Sequence, residues 1–426
     1  MSSLHIKNAK IINADGIADA KEVLIEDGKI SKVGNNLKAA SSAKILDAQG
    51  RILTPGLIDI HVHLRVPGQE YKETIETGSA AAVKGGFTTV MCMPNTMPAI
   101  DNRAIVESII NESRRVGICN IIPIGAITKG RGDQELTDMF ELKEAGCLAL
   151  SDDGKSVINS QLMKQAVIYS RMMNLLLIQH CEDPSLSAHG VINEGVMSTI
   201  LGLKGDAGIS ETVIIARDIE IANYTKGRVH FAHISLRRSA ELIQMAKKQK
   251  INVTCEVCPH HFALTEEALK TFDTNAKVNP PLRTQDDVDA MKEYIKNGTI
   301  DCIVTDHAPH SAEEKENDMY GAPFGLIGLE TSLGLTVKEL IEPKIIGWPK
   351  LVELMSTRPA ELIGLNNKGK IAEGFDADLT LIDPDEVWEV RRGDIVSKSK
   401  NTPFYGWKLK GRVKTTIFGG KIVYQE

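Results

Sequence analysis

The 426-residue sequence has little that would serve nucleic-acid or membrane binding. Aromatic residues make up only 4% of the chain, which gives no platform of stacked rings for single-stranded nucleic acid. The formal net charge is −6, and lysine and arginine are spread along the chain without a basic run. No apolar run approaches the roughly 20 residues that span a bilayer. The sequence therefore predicts neither a nucleic-acid partner nor a membrane span.

Cysteine is scarce and unpatterned. The seven cysteines are an odd number, scattered through core-like segments, which fits a reducing compartment better than a disulfide framework. Residues 1–8 contain no apolar stretch, so we expect no secretory signal peptide and a cytoplasmic location. The one Cys-x-x-Cys pair, Cys255 and Cys258, lies in a predicted strand, and no second pair completes a structural zinc site. His260 and His261 follow it and could be ligands, but they are also well placed to shape the pocket wall, so they are left out of the predicted ligand set.

The middle of the chain alternates strand and helix. Helical patterns fall between most of the strands, as at 102–116, 161–173, 211–226 and 236–250. Apolar strands are predicted at 56–60, 87–93, 120–126, 147–150, 175–178, 228–232, 251–257 and 300–305. Eight such strands predict an α/β fold, a parallel (β/α)8 TIM-like barrel. A doubly wound sheet is the alternative, but no Gly-x-Gly-x-x-Gly follows any strand, which argues against a dinucleotide site.

The two ends of the chain resemble each other and differ from the middle. Residues 23–33 form a predicted hairpin around Asp27-Gly28, and residues 416–424 repeat the pattern around Gly419-Gly420. Residues 378–383 form another alternating strand. We expect both ends to pair into one small β-sandwich domain. The predicted division is 1–54 and 366–426 for the sandwich and 55–365 for the catalytic barrel.

The most informative motif is PGLIDIHVH at residues 55–63. On a β-strand, residues i and i+2 point to the same face, so His61 and His63 can direct both imidazoles at one point. A chance His-x-His pair is the alternative, and the other strand ends decide between the two. Catalytic groups in such barrels lie where the strands end. The side chains of metal-binding type at the other predicted strand ends are Asp153, His180, His233 and Asp306.

This ligand set is rich in imidazole and carboxylate and lacks thiolate, which suits Zn²⁺ and leaves Mn²⁺ and Co²⁺ as alternatives. Four histidines and two aspartates exceed the three protein ligands of a typical catalytic zinc, so the sequence predicts two metal ions. A two-metal site needs a bridging carboxylate, for which Asp153 is the candidate. Asp306 is predicted to be the catalytic group that moves a proton to the leaving nitrogen.

With these motifs in place, the sequence resembles the amidohydrolase superfamily and, within it, the bacterial class I dihydroorotase family. The superfamily pattern is residues 55–63 followed by His180, His233 and Asp306. The more specific motifs are HLR at 63–65, MPNT at 93–96, VNPPLR at 278–283, TDHAPH at 305–310 and APFGLIGLET at 322–331.

The resemblance implies a zinc-dependent, reversible cyclisation of N-carbamoyl-L-aspartate to L-dihydroorotate plus water, the third step of de novo pyrimidine synthesis. It implies that His61, His63 and Asp306 bind one zinc and that His180 and His233 bind the other. Asp153 would bridge them, where many relatives carry a carboxylated lysine. Lys155 could be mistaken for that lysine, but the bacterial dihydroorotases that this chain resembles keep Ser-Asp-Asp-Gly here, which favours Asp153.

The resemblance also implies the substrate contacts. Arg65 offers a planar fork for the single carboxylate of dihydroorotate, with Asn95 and His310 as further donors. Asn279 and the backbone of Phe324 and Gly325 would hold the ring amides, and His63 would also line the substrate pocket. The polar stretch 311–323 is predicted to be a mobile lid.

Two other functions stay open at this point. Hydantoinases and allantoinases share the metal frame, and Arg65 and Asn95 discriminate against them because their substrates need not carry a ring carboxylate. A catalytically inactive dihydroorotase-like scaffold for aspartate transcarbamoylase is the other, although such relatives have lost metal ligands. A homodimer and an association with aspartate transcarbamoylase are left open by the sequence.

Overall fold

The structure is a computed structural model that describes residues 3–426. Both ends of the chain contribute to a β-sandwich, as predicted. Its N-terminal strands are β1 (Ser3–Lys7), β2 (Lys10–Asn13), β3 (Gly16–Ile17), β4 (Glu22–Glu26), β5 (Lys29–Gly34), β6 (Lys44–Asp47) and β7 (Ile52–Pro55). The predicted hairpin around Asp27-Gly28 is β4 and β5, which pair antiparallel.

The middle of the chain is the (β/α)8 barrel, and the predicted fold class is confirmed. Its strands are β8 (Leu57–Val62), β9 (Phe87–Cys92), β10 (Asn120–Pro123), β11 (Ala149–Ser151), β12 (Leu176–Gln179), β15 (Val229–Phe231), β16 (Val253–Val257) and β17 (Cys302–Ile303). A small parallel pair, β13 (Ile192–Asn193) and β14 (Gly205–Asp206), lies between β12 and β15 in the chain.

The barrel strands form two parallel sheets, one of the order β10-β9-β8 and one of the order β11-β12-β15-β16-β17. Isolated β-bridges join the two sheets at both seams. Gly125 pairs with Leu150 at one seam, and Val62 pairs with His307 at the other. Strands β8 and β9 are buried along their whole length, as expected for parallel strands covered on both faces. Apolar side chains such as Ile60, Met91 and Ile178 fill the interior, so the barrel is a packed core.

Helices surround the barrel, and the four predicted ones begin and end within two residues of the prediction. The helices are α1 (Ile75–Lys84), α2 (Arg103–Val116), α3 (Met139–Ala145), α4 (Ser160–Met173), α5 (Pro184–Ser187), α6 (Val196–Leu201), α7 (Ile209–Thr225), α8 (Arg237–Lys248), α9 (Pro259–Ala263), α10 (Gln285–Lys296), α11 (Ala312–Lys315), α12 (Ser332–Thr336), α13 (Trp348–Val352) and α14 (Arg358–Ile363). The sequence sets their ends: Asn102 caps the N-terminus of α2 with its side chain, and Gly117 ends the helix in the left-handed conformation.

The C-terminal strands β18 (Leu379–Glu389), β19 (Lys408–Phe418) and β20 (Lys421–Gln425) complete the sandwich. One sheet has the order β5-β4-β1-β6, and the other, β20-β19-β18-β7-β2-β3, mixes strands from both ends of the chain. Apolar side chains from both sheets, among them Ile6, Val23, Leu379 and Ile417, form a separate core. The chain passes from sandwich to barrel between Pro55 and Leu57; the three-part division of the domains stays a prediction.

The segment between β18 and β19 returns to the C-terminal end of the barrel. The Asn401 side chain accepts a hydrogen bond from the backbone N–H of His310 at 3.1 Å and donates to the carbonyls of Ala308 and Gly325. The sandwich half of the chain thereby helps to shape the mouth of the barrel. Across residues 3–426, no helix combines the length and the apolar character needed to cross a bilayer.

Candidate active site

The six predicted metal ligands lie together at the C-terminal ends of the barrel strands. The carboxylate of Asp153 is at the centre of the group. Its Oδ1 lies 3.4 Å from Nε2 of His61, 3.5 Å from Nδ1 of His180 and 3.6 Å from Nε2 of His233. Its Oδ2 lies 3.5 Å from Nε2 of His63. Asp153 therefore lies close to both histidine pairs, as its predicted role of bridging carboxylate requires.

Asp306 closes the group on the side of the first histidine pair. Its Oδ1 lies 3.0 Å from Nε2 of His63 and 3.6 Å from Nε2 of His61. Asp306 and His233 both have positive backbone φ angles, 46° and 30°. For residues other than glycine this conformation costs about 1–3 kcal/mol, a strain typical of functional sites.

The geometry fits divalent metal ions. Three sets of buried donor atoms each lie within 4.8 Å of one another: His61 with His63 and Asp153, Asp153 with His180 and His233, and His61 with His233 and Asp306. Nε2 of His61 and Oδ1 of Asp153 are buried and have no hydrogen-bond partner. Because unpaired buried polar atoms are costly, a cation between these atoms explains their arrangement.

The electrostatics favour the ligand form of the carboxylates. Burial alone would raise the pKa of Asp153, but the neighbouring His61, His180 and His233 hold it well below its usual range. The pKa of Asp306 is likewise lowered, against its burial, by His63 and His61. Burial opposes protonation of His180, yet Asp153 and Glu182 raise its pKa to about 10. The two aspartates are thus anionic at neutral pH, which is the form of a carboxylate that binds a cation.

The backbone around His61 departs from regular strand pairing. The pairing of β8 with β9 shifts register between Asp59 and Val62. The carboxylate of Asp59 takes the place of missing backbone partners there: it accepts hydrogen bonds from the backbone N–H of His61 at 3.0 Å and of Thr305 at 3.1 Å. This residue thereby ties the first and the last barrel strand together beside the ligands.

In three of the predicted histidine ligands, the ring nitrogen that faces away from Asp153 and Asp306 has a hydrogen-bond partner. His61 Nδ1 lies 2.6 Å from Oε1 of Glu256, and His63 Nδ1 lies 2.8 Å from Oδ1 of Asn95. His180 Nε2 lies 3.2 Å from Oε2 of Glu182. Carboxylate and amide partners of this kind fix the tautomer and the orientation of a ligating imidazole. The sequence reading missed Glu256 and Glu182; an acidic residue within the otherwise uncharged strand VTCEV was the signal for the first.

Glu256 is expected to strengthen metal binding through His61. It is fully buried, and its other oxygen lies 3.0 Å from Nε2 of His230. Glu256→Gln should lower the affinity for zinc by about 10- to 100-fold, because the amide cannot match the carboxylate as an acceptor from His61. Competition with a chromogenic chelator measures this. Glu266→Gln is the matched control, a buried glutamate that pairs with Asn193 instead; equal affinities of the two variants would contradict the role of Glu256.

The predicted substrate contacts line one cavity together with all the predicted ligands except His61, which lies beneath its wall. Its volume is about 280 Å³, which is suited to a small molecule. All seven predicted substrate residues line it, namely His63, Arg65, Asn95, Asn279, His310, Phe324 and Gly325. Gly325 has a φ of +126°, and a side chain there would collide with Cβ of Ala308 at 2.6 Å, so only glycine suits this wall.

Arg65 and His310 lie side by side in the cavity. Arg65 Nε donates to the carbonyl of Pro309 at 3.0 Å, and Nη2 lies 3.1 Å from Nε2 of His310. Burial lowers the pKa of Arg65 to about 10, so the guanidinium stays charged at neutral pH. The Asn279 amide donates to Glu182 at 2.8 Å. The cavity thus offers a fixed cation for an anionic group a short way from the histidine cluster.

The predicted lid segment, 311–323, is tied to its surroundings. Ser311 and Glu314 form a capping box at α11, and Lys315 Nζ donates to the carbonyls of Pro323 and Gly325 at 2.9 and 3.1 Å. Lys277 Nζ donates to the carbonyl of Ala322 at 2.5 Å. The movement of this segment stays a prediction.

Comparisons with family models and solved structures identify the class of protein to which this chain belongs. Residues 204–424 match the model described as "Amidohydrolase family", and residues 50–239 match the one described as "Dihydro-orotase-like". Among solved structures, an L-hydantoinase (dihydropyrimidinase) from Arthrobacter aurescens superposes with a TM-score of 0.90 at 24% identity, over 100% of this chain and 96% of the other. Dihydropyrimidinase from Brevibacillus agri gives 0.85 at 22% identity, over 99% and 95%. These structures are similar in fold, and the matches identify a metal-dependent cyclic amidohydrolase.

Full-length relatives narrow the class. A protein named dihydroorotase from Geobacter metallireducens is 47% identical to this chain, over 99% of this chain and 100% of the relative. One of the same name from Citrifermentans bemidjiense is 49% identical, with the same coverage. One from Acetivibrio thermocellus is 48% identical, over 99% of this chain and 98% of the relative. The chain belongs to the dihydroorotase family.

Proposed function

We propose that this protein is an active dihydroorotase that interconverts L-dihydroorotate and N-carbamoyl-L-aspartate with uptake or release of water. The observation that carries the proposal is the shared cavity, in which Arg65 and His310 lie beside the His/Asp cluster. Dihydroorotate has one carboxylate beside its ring amides, and this cavity offers a match for both.

The cluster is proposed to hold two zinc ions, one at His61, His63 and Asp306 and one at His180 and His233, with Asp153 between them. When bound, the metal supplies Lewis-acid polarisation of the scissile carbonyl and a more acidic water. Asp306 would accept a proton from the attacking water and deliver it to the departing ring nitrogen. The same steps in reverse close the ring.

The substrate is proposed to be fixed through its carboxylate. Arg65 would bind it in a fork, with His310 and Asn95 as further donors. The Oδ1 of Asn95 is already used by His63, which leaves the Asn95 amide N–H groups for the ligand. Asn279 and the backbone at Phe324 and Gly325 would contact the ring amides. Because the carboxylate is held in one position, the scissile ring amide would be held at a fixed orientation to the His/Asp cluster.

The proposal extends to a cytoplasmic enzyme of pyrimidine synthesis. Size-exclusion chromatography would test two assemblies, a homodimer and a complex with aspartate transcarbamoylase. The test of function is conversion of dihydroorotate by the purified, zinc-loaded protein, followed by its ultraviolet absorbance near neutral pH. Turnover supports the proposal. A zinc-loaded protein that does not convert dihydroorotate but opens hydantoin or allantoin would assign it to the related ring hydrolases, and one inert to all three would be a scaffold.

A further inference from the structure

His310 is surrounded by more partners than one neutral imidazole can serve. Its Nδ1 lies 3.3 Å from Nζ of Lys72 and 3.3 Å from Oε2 of Glu314. Its Nε2 lies 2.9 Å from the carbonyl of Phe324 and 3.1 Å from Nη2 of Arg65. Each nitrogen therefore faces one group that only donates and one that only accepts.

The four contacts divide into two exclusive sets. With the proton on Nε2, His310 donates to the carbonyl of Phe324 and accepts at Nδ1 from Lys72. With the proton on Nδ1, it donates to Glu314 and accepts at Nε2 from Arg65. Burial and the nearby cations Arg65, Lys72 and Lys315 lower the pKa of His310, so the ring is neutral and adopts one tautomer or the other.

The contacts favour the proton on Nε2. The shortest contact, 2.9 Å to Phe324, requires a donor at that nitrogen. Glu314 is occupied elsewhere: its Oε1 lies 2.9 Å from Lys72 Nζ and accepts from Tyr71 at 3.0 Å, and its Oε2 accepts from the backbone N–H of Ser311 at 3.3 Å. Lys72 thus both supplies a donor to His310 and engages the competing acceptor.

The burial of Lys72 is the second observation. Only 9% of its side chain is exposed, although lysine is rarely buried unless it is paired. Burial lowers its pKa, which Glu314 opposes and Arg65 reinforces. Lys72 is paired with Glu314, yet the balance of these effects still lowers its pKa, so holding its charge beside the buried Arg65 costs stability and points to a role in the site.

We propose that Lys72 is a positioning residue that holds His310 with its proton on Nε2, so that the N–H that bonds to the carbonyl of Phe324 in the ligand-free site passes to the substrate carboxylate when the substrate binds. The inference rests on the proposed function of His310. A carboxylate only accepts hydrogen bonds, so the opposite tautomer would turn a lone pair toward it. Because Nε2 then cannot accept from Arg65, the Nη2 group of Arg65 also stays available to the substrate.

The first test compares steady-state kinetics of Lys72 variants. Lys72→Met leaves Glu314 as the strongest partner of Nδ1, so KM for dihydroorotate should rise by about 10- to 100-fold, with a much smaller change in kcat. Lys72→Arg should recover part of the loss. Lys398→Met is the matched control, because Lys398 anchors the same loop through the carbonyl of Glu70 without touching His310; its KM should stay as in the wild type.

The double variant Lys72→Met/Glu314→Gln separates positioning from simple support of the loop. With its nitrogen in the place of Oε2, the glutamine amide can donate to Nδ1, and its oxygen can still accept from Tyr71. The Nε2-protonated ring then returns, with only the 3.3 Å bond from the backbone N–H of Ser311 lost. KM should then fall back toward the wild-type value. A merely structural lysine predicts the contrary, a double variant at least as impaired as Lys72→Met, and that result would overturn the proposal.

The second test reads the tautomer in the ligand-free protein. Nitrogen-15 spectra of histidine-labelled protein, with His310 assigned by its loss in His310→Gln, should show a protonated Nε2 and a bare Nδ1 in the wild type. The pattern should reverse in Lys72→Met. A wild-type proton on Nδ1 would overturn the inference even if the Lys72 variants do not fold. Because this reading needs no turnover, an inert enzyme would defeat the proposed function and leave the tautomer result standing.

Discussion

Asp306→Asn is expected to lower kcat for dihydroorotate by about 10³-fold or more. Loss of a positioned general base removes about 10²- to 10⁴-fold, and the loss of a carboxylate ligand to the cluster adds to this. Asparagine keeps the shape and an oxygen toward His63, which lies 3.0 Å from the present carboxylate, but it cannot take up a proton. Steady-state turnover in both directions measures the effect.

Asp301→Asn is the matched control for this change. Asp301 lies at the start of the same strand region and pairs with Lys247 and Arg358, away from the histidine cluster. It should lower the free energy of unfolding and leave kcat close to the wild-type value. An Asp306→Asn variant that binds metal normally and keeps more than about a tenth of the wild-type kcat would show that Asp306 does not move the proton.

Arg65→Met is expected to reduce kcat/KM for dihydroorotate by about 10²- to 10⁴-fold, mainly through KM. A bidentate, charge-assisted contact to the substrate carboxylate is lost, and methionine leaves that carboxylate in a cavity without its cation. Arg65 is only 7% exposed, so water cannot replace the guanidinium fully. The same substitution should raise the Ki of carboxylate-bearing competitive inhibitors to a similar degree.

The metal content provides the control for Arg65→Met. Arg65 makes none of the close contacts of the ligand cluster, so zinc binding and thermal unfolding should stay near those of the wild type. Arg65→Lys should be intermediate, because the ammonium keeps the charge but loses the planar fork. Undiminished kcat/KM in Arg65→Met would place the carboxylate elsewhere and would remove the main argument against a hydantoinase-like substrate.

The ligand cluster was predictable because it follows from regular structure. His61 and His63 alternate on one strand, and each further ligand follows a strand whose apolar run is visible in the sequence. Parallel barrel strands end at one face, so the ends converge without any knowledge of their order. The structure brings all six together as this reasoning requires.

The supporting residues were less predictable because they depend on contacts between distant parts of the chain. Glu256 reaches His61 from 195 residues away, and Asn401 reaches His310 from a segment without regular structure, 91 residues on. Lys72 stands beside charged residues in a loop sequence that reads as surface, yet it is buried. The last barrel strand also has only the two residues Cys302–Ile303, because side chains such as Asp59 replace part of the ladder near the site.

A zinc titration of the metal-free protein tests the central claim most directly. If the proposed two-zinc site is correct, dihydroorotate hydrolysis should be absent without metal, rise with each equivalent of zinc and saturate near two per chain. Under the same conditions, Asp153→Asn should not reach the wild-type plateau. Full activity in the metal-free protein, or zinc bound at two equivalents with no conversion of dihydroorotate, would contradict the account.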